Sequence, residues 1–299
     1  MNTFGKNAPK VPAAGLAGAV LGAAAVGAAA VAVGVRCLQL ARTQTGLARV
    51  KMVRVGSARV RVLQQGGVYQ SATYVDGNRF DPVFAYIAAF DRAFEAEERM
   101  RSIYGHGIER ALMLGGGGYS WPKHALTAHP DLSMDVVEVD HAITHLARRW
   151  FYLDELERRA GERLGLVCED ARAYLGRALA EGARYDVVVN DCFAGRQPVR
   201  SLATVEALCQ AKVCLRPGGL YLANVVSADG GEDIGFLRDA VASAAAVFER
   251  VQVVPCVDED ISGEDNYLLI ATDGDYAFGG EMPIERAFYG SVLRDEAER

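Results

Sequence analysis

Four short segments of the chain follow apolar runs and carry glycines or carboxylates, residue types that suit the binding of a nucleoside. The glycine run 115–118 follows "RALML", and "VEVD" ends with Glu138 and Asp140. Two later runs end in "CED" and "NDC", which contain Asp170 and Asp191. Bare glycines let a ligand approach the backbone and its N–H groups, and a carboxylate accepts hydrogen bonds from a ribose diol. Together the four segments predict a nucleoside-binding site.

The position of each acid suggests its role. Glu138 lies 23 residues after Gly115, a spacing that suits a ribose-binding carboxylate, and Asp140 is a second acid of the same segment. Asp170, beside the backbone N–H of Ala171, is placed to read an adenine edge. Asp191 would lie at the mouth of the pocket, nearest the reacting group, where a carboxylate can act as a base.

Each segment also has a purely structural interpretation. A glycine run can form a tight turn, and Asp140 and Asp170 each suit the N-cap position of the helix that follows. Glu138 can be an exposed acid ahead of the next helix, and Asp191 can cap a turn. All four segments occur at the ends of successive predicted strands, in the order expected for a nucleoside site. This agreement favours a binding site over four separate structural roles.

The elements that must position these residues alternate between strand and helix from residue 109 onward. Apolar runs such as "RALML", "SMDVV" and "YDVVV" predict strands, with helical segments between them. Near-continuous apolar strands indicate a buried parallel sheet with helices on both faces, and ligands of such sheets bind beyond the carboxyl ends of the strands. The last two runs, "VQVVPCV" and "NYLLIAT", have no helix between them and predict a hairpin that closes one edge.

A small β-appendage precedes this part of the chain. "RVKMVRV" and "ARVRVLQ" alternate apolar and charged residues and predict strands joined by a turn at Gly56-Ser57. A helix is predicted over 81–100, with Asp81 as its N-cap and Pro82 as its first residue. The predicted boundaries are a leader at 1–45, the appendage and helix at 46–100, the nucleoside-binding domain at 101–273 and a tail at 274–299.

Composition excludes several classes of site. The net charge is -6 and no dense basic tract occurs in the globular part, so no nucleic-acid partner is predicted. The six cysteines form no CxxC pair, which indicates free thiols of a reducing compartment. His141 and His145 lie four residues apart without a further ligand motif, so no metal site is predicted.

The segments "LGGGG", "VEVD", "CEDARAYL", "YDVVVNDCF" and "LRPGGLYLANV", in this order, resemble the spermidine synthase-like branch of the class I S-adenosylmethionine-dependent methyltransferase superfamily. "GGVYQSATYVD" and the following "FAYIAAF" resemble that branch's β-appendage and gate segment. The resemblance covers roughly residues 60–272. It implies a Rossmann-like α/β sheet of seven strands, one of them antiparallel at the edge, preceded by a small β-domain. In this chain an N-terminal apolar helix would come first.

The resemblance also implies roles for single residues. Gly115, Gly116 and Gly117 correspond to the loop that contacts the amino-acid part and sugar of the cofactor. Glu138 corresponds to the ribose-binding acid, and Gln70 resembles a glutamine that lines the nucleoside site. Asp170 and Ala171 correspond to the adenine contact. Asp191 corresponds to the acid that receives the proton of the attacking amine in aminopropyl-transferring members.

Three departures concern the amine-binding residues of that branch. The branch's glycine loop contains an aspartate that holds the aminopropyl amine, and Gly118 stands there in this chain. A second acid and a proline of the branch are replaced by Ala194 and Gly195. On the gate helix Tyr86 corresponds to a tyrosine, but Ile87 replaces the following glutamine.

These features favour an enzyme that binds S-adenosylmethionine and transfers a methyl group to an unidentified small-molecule acceptor. The first alternative is an aminopropyltransferase of the spermidine synthase type that uses decarboxylated S-adenosylmethionine. The second is a non-catalytic, membrane-tethered nucleoside-binding protein. A nicotinamide dehydrogenase fits less well, because Ser120 interrupts the GxGxxG pattern. The family resemblance implies a possible homodimer.

The N-terminal segment 11–35 carries no charged residue and is long enough to cross a bilayer as a helix. More positive residues follow it than precede it, which favours a membrane-anchored protein with a cytoplasmic catalytic domain. The alternative is a flexible leader on a soluble cytoplasmic protein.

Overall fold

Two main β-sheets organise the chain. The computed structural model describes residues 36–194, 197–226, 234–256 and 266–296. A four-stranded sheet comes first in the chain and a seven-stranded sheet follows. The small sheet has the order β1 (Arg36–Thr43), β2 (Gly46–Val55), β3 (Ala58–Gln65), β4 (Val68–Tyr74).

The small sheet has four strands, the upper end of the two to four that the sequence predicts for the β-appendage. β2 and β3 pair as an antiparallel hairpin around Gly56-Ser57, as expected. The first strand, β1, lies within the segment 1–45 predicted as a leader, so the sheet begins about ten residues before the predicted start of the appendage. Leu38 and Ala41 of this strand pack against the hydrophobic core. Its composition lacks the alternation of charge that marks β2 and β3, which is why the pattern does not reveal it.

The large sheet has the order β12-β13-β11-β8-β5-β6-β7. A short pair, β9 (Phe193–Ala194) and β10 (Gln197–Pro198), forms a separate two-stranded sheet. The strands of the large sheet are β5 (Arg110–Leu114), β6 (Ser133–Val137), β7 (Leu164–Val167), β8 (Tyr185–Asn190), β11 (Leu215–Val226), β12 (Arg250–Cys256) and β13 (Asn266–Thr272).

The predicted hairpin is present, but its antiparallel strand does not lie at the edge. β13 runs antiparallel to both β11 and β12, and β12 takes the edge position. The two strands differ in burial. Nearly every residue of β13 is buried, whereas β12 has exposed positions. The more apolar run therefore occupies the interior position of the sheet.

Helices cover the large sheet and connect its strands. They are α1 (Ala85–Ala89), α2 (Glu97–Tyr104), α3 (Ser120–Ala128), α4 (His141–Trp150), α5 (Leu153–Ala160), α6 (Ala171–Ala180), α7 (Val205–Cys214) and α8 (Gly235–Ala245), with 3₁₀ turns at Phe90–Ala96, Gly161–Arg163, Arg200–Leu202 and Arg286–Phe288. Alternate residues of β5 contribute to two hydrophobic clusters, Met113 to one and Leu112 and Leu114 to the other, so both faces of the sheet are buried.

The helix predicted over 81–100 is broken into three pieces, α1, the 3₁₀ turn and α2. Asp81 is not its N-cap: its N–H donates to the carbonyl of Asn78 in a turn, and α1 begins only at Ala85. In the 3₁₀ turn the buried residues Phe90, Ala93 and Ala96 recur every three positions, which is the period of a 3₁₀ helix. Burial of one three-residue stripe explains the change of helix type.

No described helix is long and apolar enough to cross a membrane. The span predicted at 11–35 lies outside the described residues.

Candidate functional site

A cavity of about 170 Å³ lies at the carboxyl ends of the parallel strands, between the large sheet and strands of the small sheet. This is where an open α/β sheet binds its ligand. The lining contains all residues that the sequence predicts for cofactor binding: Gln70, Gly115, Gly116, Gly117, Glu138, Asp140, Asp170, Ala171 and Asp191. The structure thus brings the whole predicted set into one cavity.

At two positions of the glycine loop, close contacts within the protein itself leave no room for a side chain. At Gly115, where φ is +93°, an added Cβ atom would lie 2.4 Å from the carbonyl oxygen of Asp191. At Gly116 it would lie 2.8 Å from the ring of Tyr119. Gly117 has a φ of +50° and no atom closer than 4.0 Å to such a Cβ. Packing therefore excludes side chains at the first two positions, and the third faces open space.

Glu138 ties this loop to β6. One carboxylate oxygen accepts the N–H groups of Gly116 and Gly117, at 3.1 and 3.0 Å, and the other accepts the N–H of Asp140 at 3.0 Å. Burial raises the pKa of Glu138, and the three backbone N–H groups oppose that rise. A carboxylate has about four acceptor sites, so Glu138 retains capacity for a further donor.

The two aspartates that suit N-caps are N-caps. Asp140 accepts the N–H of Ala142 at the start of α4, and Asp170 accepts the N–H groups of Arg172 and Ala173 at the start of α6. The second oxygen of Asp140 accepts the backbone N–H of Gln44, which lies in the β1–β2 turn. The β1–β2 turn, which the sequence did not assign to the site, therefore closes one side of the cavity.

Asp191 lies directly after β8 and beside the glycine loop, because its backbone N–H donates to the carbonyl of Leu114 at 2.8 Å. Its side chain is partly buried and accepts a hydrogen bond from the amide of Asn224 at 2.9 Å. Burial raises the pKa of Asp191 from 3.8 to about 7, against the lowering effect of the Asn224 amide. Both protonation states are therefore accessible near neutral pH, which suits a proton acceptor.

Sequence reasoning missed Asn224. It lies on β11, is only 7% exposed and lines the cavity. Its carbonyl oxygen is buried and has no hydrogen-bond partner among the residues that the structure describes. A buried acceptor without a donor is costly and calls for an explanation. The available signal was a single amide inside the apolar run "LYLANVV".

The structure shows which residues surround the positions at which this chain departs from the resemblance. A Cβ atom at Gly118 would lie 2.3 Å from the hydroxyl oxygen of Ser71 and 3.0 Å from the ring of Phe151. The Ser71 hydroxyl is 3.0 Å from that of Ser120. Ala194 is exposed, whereas Ile87 is buried and lines the cavity. Ser71 of the small sheet and Phe151 after α4 thus fill the space beside Gly118.

Solved structures share this architecture. A crystal structure described as a probable spermidine synthase from Corynebacterium glutamicum superposes with a TM-score of 0.60 and 24% sequence identity, over 80% of this chain and 81% of that chain. A spermidine synthase in complex with the transition-state analogue AdoDATO gives a TM-score of 0.61 at 18% identity, over 80% and 74% of the two chains. At these identities the likeness shows a shared fold and nothing finer.

Residues 103–247 match the family described as the spermine/spermidine synthase domain. A polyamine aminopropyltransferase of Vibrio vulnificus is 34% identical over 119 residues, which is 40% of this chain and 38% of the relative. The matched region therefore spans less than half of that relative's length.

Proposed function

We propose that this chain is an aminopropyltransferase of the spermidine synthase type, which moves the 3-aminopropyl group of decarboxylated S-adenosylmethionine to an amine acceptor. The observation that carries the proposal is Asp191, a carboxyl group with a pKa of about 7 beside the glycine loop. The family match and the name of the Vibrio vulnificus relative favour this reaction over methyl transfer, our main expectation from the sequence.

The nucleoside end of the cavity suits an adenosyl group. Gly117 offers open backbone, and Glu138 would accept from the ribose hydroxyls with its remaining lone pair. We assign Asp170 and the N–H of Ala171 to the adenine edge, and Gln70 to the nucleoside wall. We assign the ribose to Glu138 and a positioning role to Asp140, which caps α4 and accepts the N–H of Gln44 in the β1–β2 turn.

The bound donor supplies an electrophilic methylene carbon attached to a positive sulfur. Asp191 would orient the neutral amine of the acceptor toward that carbon. As the N–C bond forms, the C–S bond breaks and its electron pair stays on sulfur. The new secondary ammonium then loses a proton to the Asp191 carboxylate. Since the donor is already activated, positioning supplies much of the catalysis and the base completes it.

Methyl transfer remains a second candidate because of Gly118. Its packing against Ser71 and Phe151 leaves no room for the aspartate that, by the resemblance, holds the aminopropyl amine. A donor without that amine would not need such an aspartate.

The test compares donors directly. Purified full-length protein is titrated by calorimetry with decarboxylated S-adenosylmethionine, S-adenosylmethionine, methylthioadenosine and NAD, and product formation is followed by mass spectrometry. We expect the decarboxylated donor to bind best and to release methylthioadenosine when an amine is added. Methyl transfer from S-adenosylmethionine would refute the proposal in favour of the second candidate. Binding without turnover of either donor would favour the non-catalytic alternative, and binding of NAD alone would refute both aminopropyl transfer and methyl transfer.

Asp191→Asn separates binding from chemistry. We expect it to leave the affinity for methylthioadenosine within about twofold of the parent, while turnover falls by a factor of 10² or more, the range for loss of a general base. Unaltered turnover would reduce Asp191 to a structural residue.

A further inference from the structure

We propose that Ser71 binds the terminal ammonium group of the donor's aminopropyl tail, and that Ser120 fixes the direction of the Ser71 hydroxyl. This inference rests on the proposed aminopropyl transfer and names the residue that distinguishes its donor from S-adenosylmethionine. The resemblance gives this task to an aspartate in the glycine loop, which Gly118 replaces here. Ser71 belongs to the small sheet and would take over the task from the opposite side of the loop.

The Ser71 hydroxyl lies where a side chain at position 118 would begin. A Cβ atom added to Gly118 would lie 2.3 Å from the Oγ atom of Ser71. A Cβ atom added to Gly117 would have the Cβ atom of Ser71 as its nearest neighbour, at 4.0 Å. Ser71 and Ser120 both line the cavity. A ligand that lies along the glycine loop therefore meets Ser71 at the end of that loop.

The hydrogen bonds of the two serines are consistent with one direction only. The Ser120 hydroxyl donates to the backbone carbonyl of Ala72 at 3.1 Å. Its single hydrogen is then used, so Ser71 must donate and Ser120 accept in the 3.0 Å contact between their hydroxyl oxygens. The Ser71 oxygen keeps lone pairs for a ligand, whereas its hydrogen is committed to Ser120. This arrangement suits an ammonium group, which donates hydrogen bonds and cannot accept them.

The charge of the cavity favours the same tail. Five acidic residues line it: Glu138, Asp140, Glu169, Asp170 and Asp191. Such a field attracts a cation and repels a carboxylate. A carboxylate on the tail could receive the Ser71 hydrogen only if the hydrogen bond between Ser71 and Ser120 broke. The serine pair therefore favours decarboxylated S-adenosylmethionine over S-adenosylmethionine.

Two nucleosides that cannot transfer an alkyl group test the proposal. 5′-(3-Aminopropylthio)-5′-deoxyadenosine and 5′-butylthio-5′-deoxyadenosine have equal numbers of heavy atoms and differ only in a terminal ammonium or methyl group. Calorimetry on the full-length protein measures the affinity for each. We expect the aminopropyl compound to bind at least about tenfold more tightly, the factor that a hydrogen bond to a charged group supplies. Equal affinities, or tighter binding of the butyl compound, would overturn the proposal.

Ser71→Ala removes the proposed acceptor and no other group. It should lower the affinity for the aminopropyl compound about tenfold and leave the affinity for the butyl compound within about twofold of the parent. The butyl compound thus reports whether the variant folds with an intact nucleoside site. A parallel loss of both affinities would make Ser71 a structural residue, and two unchanged affinities would place the ammonium elsewhere. Either result overturns the assignment.

Ser120→Ala is the matched control, because it removes the other hydroxyl of the pair. The Ser71 oxygen can still accept from an ammonium group, so the preference for the aminopropyl over the butyl compound should stay within about twofold of the parent. The Ser71 hydrogen becomes free to donate to a carboxylate. The preference for the aminopropyl compound over S-adenosylhomocysteine, whose tail also carries a carboxylate, should therefore fall about tenfold. If this second preference were unchanged, the assigned direction of the Ser71 hydroxyl would be wrong.

Turnover of decarboxylated S-adenosylmethionine, measured beside these affinities, distinguishes the failure of this inference from the failure of the proposed function. If Ser71→Ala abolishes the preference for the aminopropyl compound but the parent transfers no aminopropyl group, the tail site stands and the proposed function fails. If the parent transfers the group but Ser71→Ala keeps the preference, the proposed function stands and the tail site fails. If the parent binds neither compound, the tail site is refuted.

Discussion

Replacement of Asp191 by asparagine should stabilise the protein in alkaline solution even as it impairs turnover. The pKa of this carboxyl rises from 3.8 to about 7 on folding because of burial. Between these two values the folded state holds a proton that the unfolded state has lost. The free energy of unfolding therefore falls as the pH rises through this window, since the folded state then binds more protons. Asparagine keeps the shape of the side chain and has no such titration.

The size of the effect follows from the same shift. One pKa unit corresponds to about 1.4 kcal/mol, so a rise of roughly three units gives an upper bound of about 4 kcal/mol. Asp191 is only partly buried, and solvent screening reduces this to roughly 1–3 kcal/mol. The stability advantage of Asp191→Asn over the parent should grow between pH 4 and pH 7 and remain constant above it.

Urea unfolding of both proteins at pH 5 and pH 9 measures this difference, because titrations elsewhere in the chain cancel between parent and variant. The slope of free energy against urea must be the same in both proteins for the comparison to hold. The raised pKa of Asp191 would be refuted if the stability difference between Asp191→Asn and the parent were the same at pH 5 and pH 9. It would also be refuted if that difference were smaller at pH 9 than at pH 5.

Three further predictions concern the surroundings of the site. Glu138→Ala should weaken methylthioadenosine binding about 100-fold, as expected for loss of about 3 kcal/mol of hydrogen bonds to a charged group, and an unchanged calorimetric affinity would refute the ribose assignment. Gly118→Ala should lower the free energy of unfolding by about 1–3 kcal/mol through overpacking against Ser71. In a protein that also carries Ser71→Gly, most of this loss should disappear. If urea unfolding shows that the two substitutions have additive effects, the contact with Ser71 is not the cause. Lys123 is buried, and burial lowers its pKa from 10.5 to about 7. The unfolded state then binds more protons between pH 7 and 10.5, so the stability of Lys123→Met relative to the parent should fall over that window; a pH-independent difference would contradict the lowered pKa.

The strand-end residues of the site were predictable because each depends on local pattern. β5, β6 and β8 are short apolar runs, and the residue after such a run lies at the same edge of a parallel sheet. This rule predicts that Gly115, Glu138 and Asp191 lie together, and all three line the cavity. The same rule predicts Asp140 at this edge. Asp140 does line the cavity, and its carboxylate accepts backbone N–H groups of Ala142 and Gln44.

The contacts that complete the site were not predictable in this way. Asn224 reaches Asp191 across 33 positions of sequence, and Gln44 reaches Asp140 across 96. Hydrophobic period and turn residues report only on near neighbours in the chain. The breaking of helix 81–100 by a 3₁₀ turn has the same origin, because the buried stripe of Phe90, Ala93 and Ala96 forms only against the rest of the core.

By itself, the sequence determined the fold class, the strand ends whose residues line the cavity, and the absence of an aspartate at position 118. Only the tertiary structure decided that Ser71 fills the space beside Gly118, that Asn224 holds Asp191, and that β13 lies inside the sheet with β12 at its edge. The physical reason is that strand and turn signals arise from neighbouring residues. The burial that raises the pKa of Asp191 arises from segments that meet only after the chain has folded.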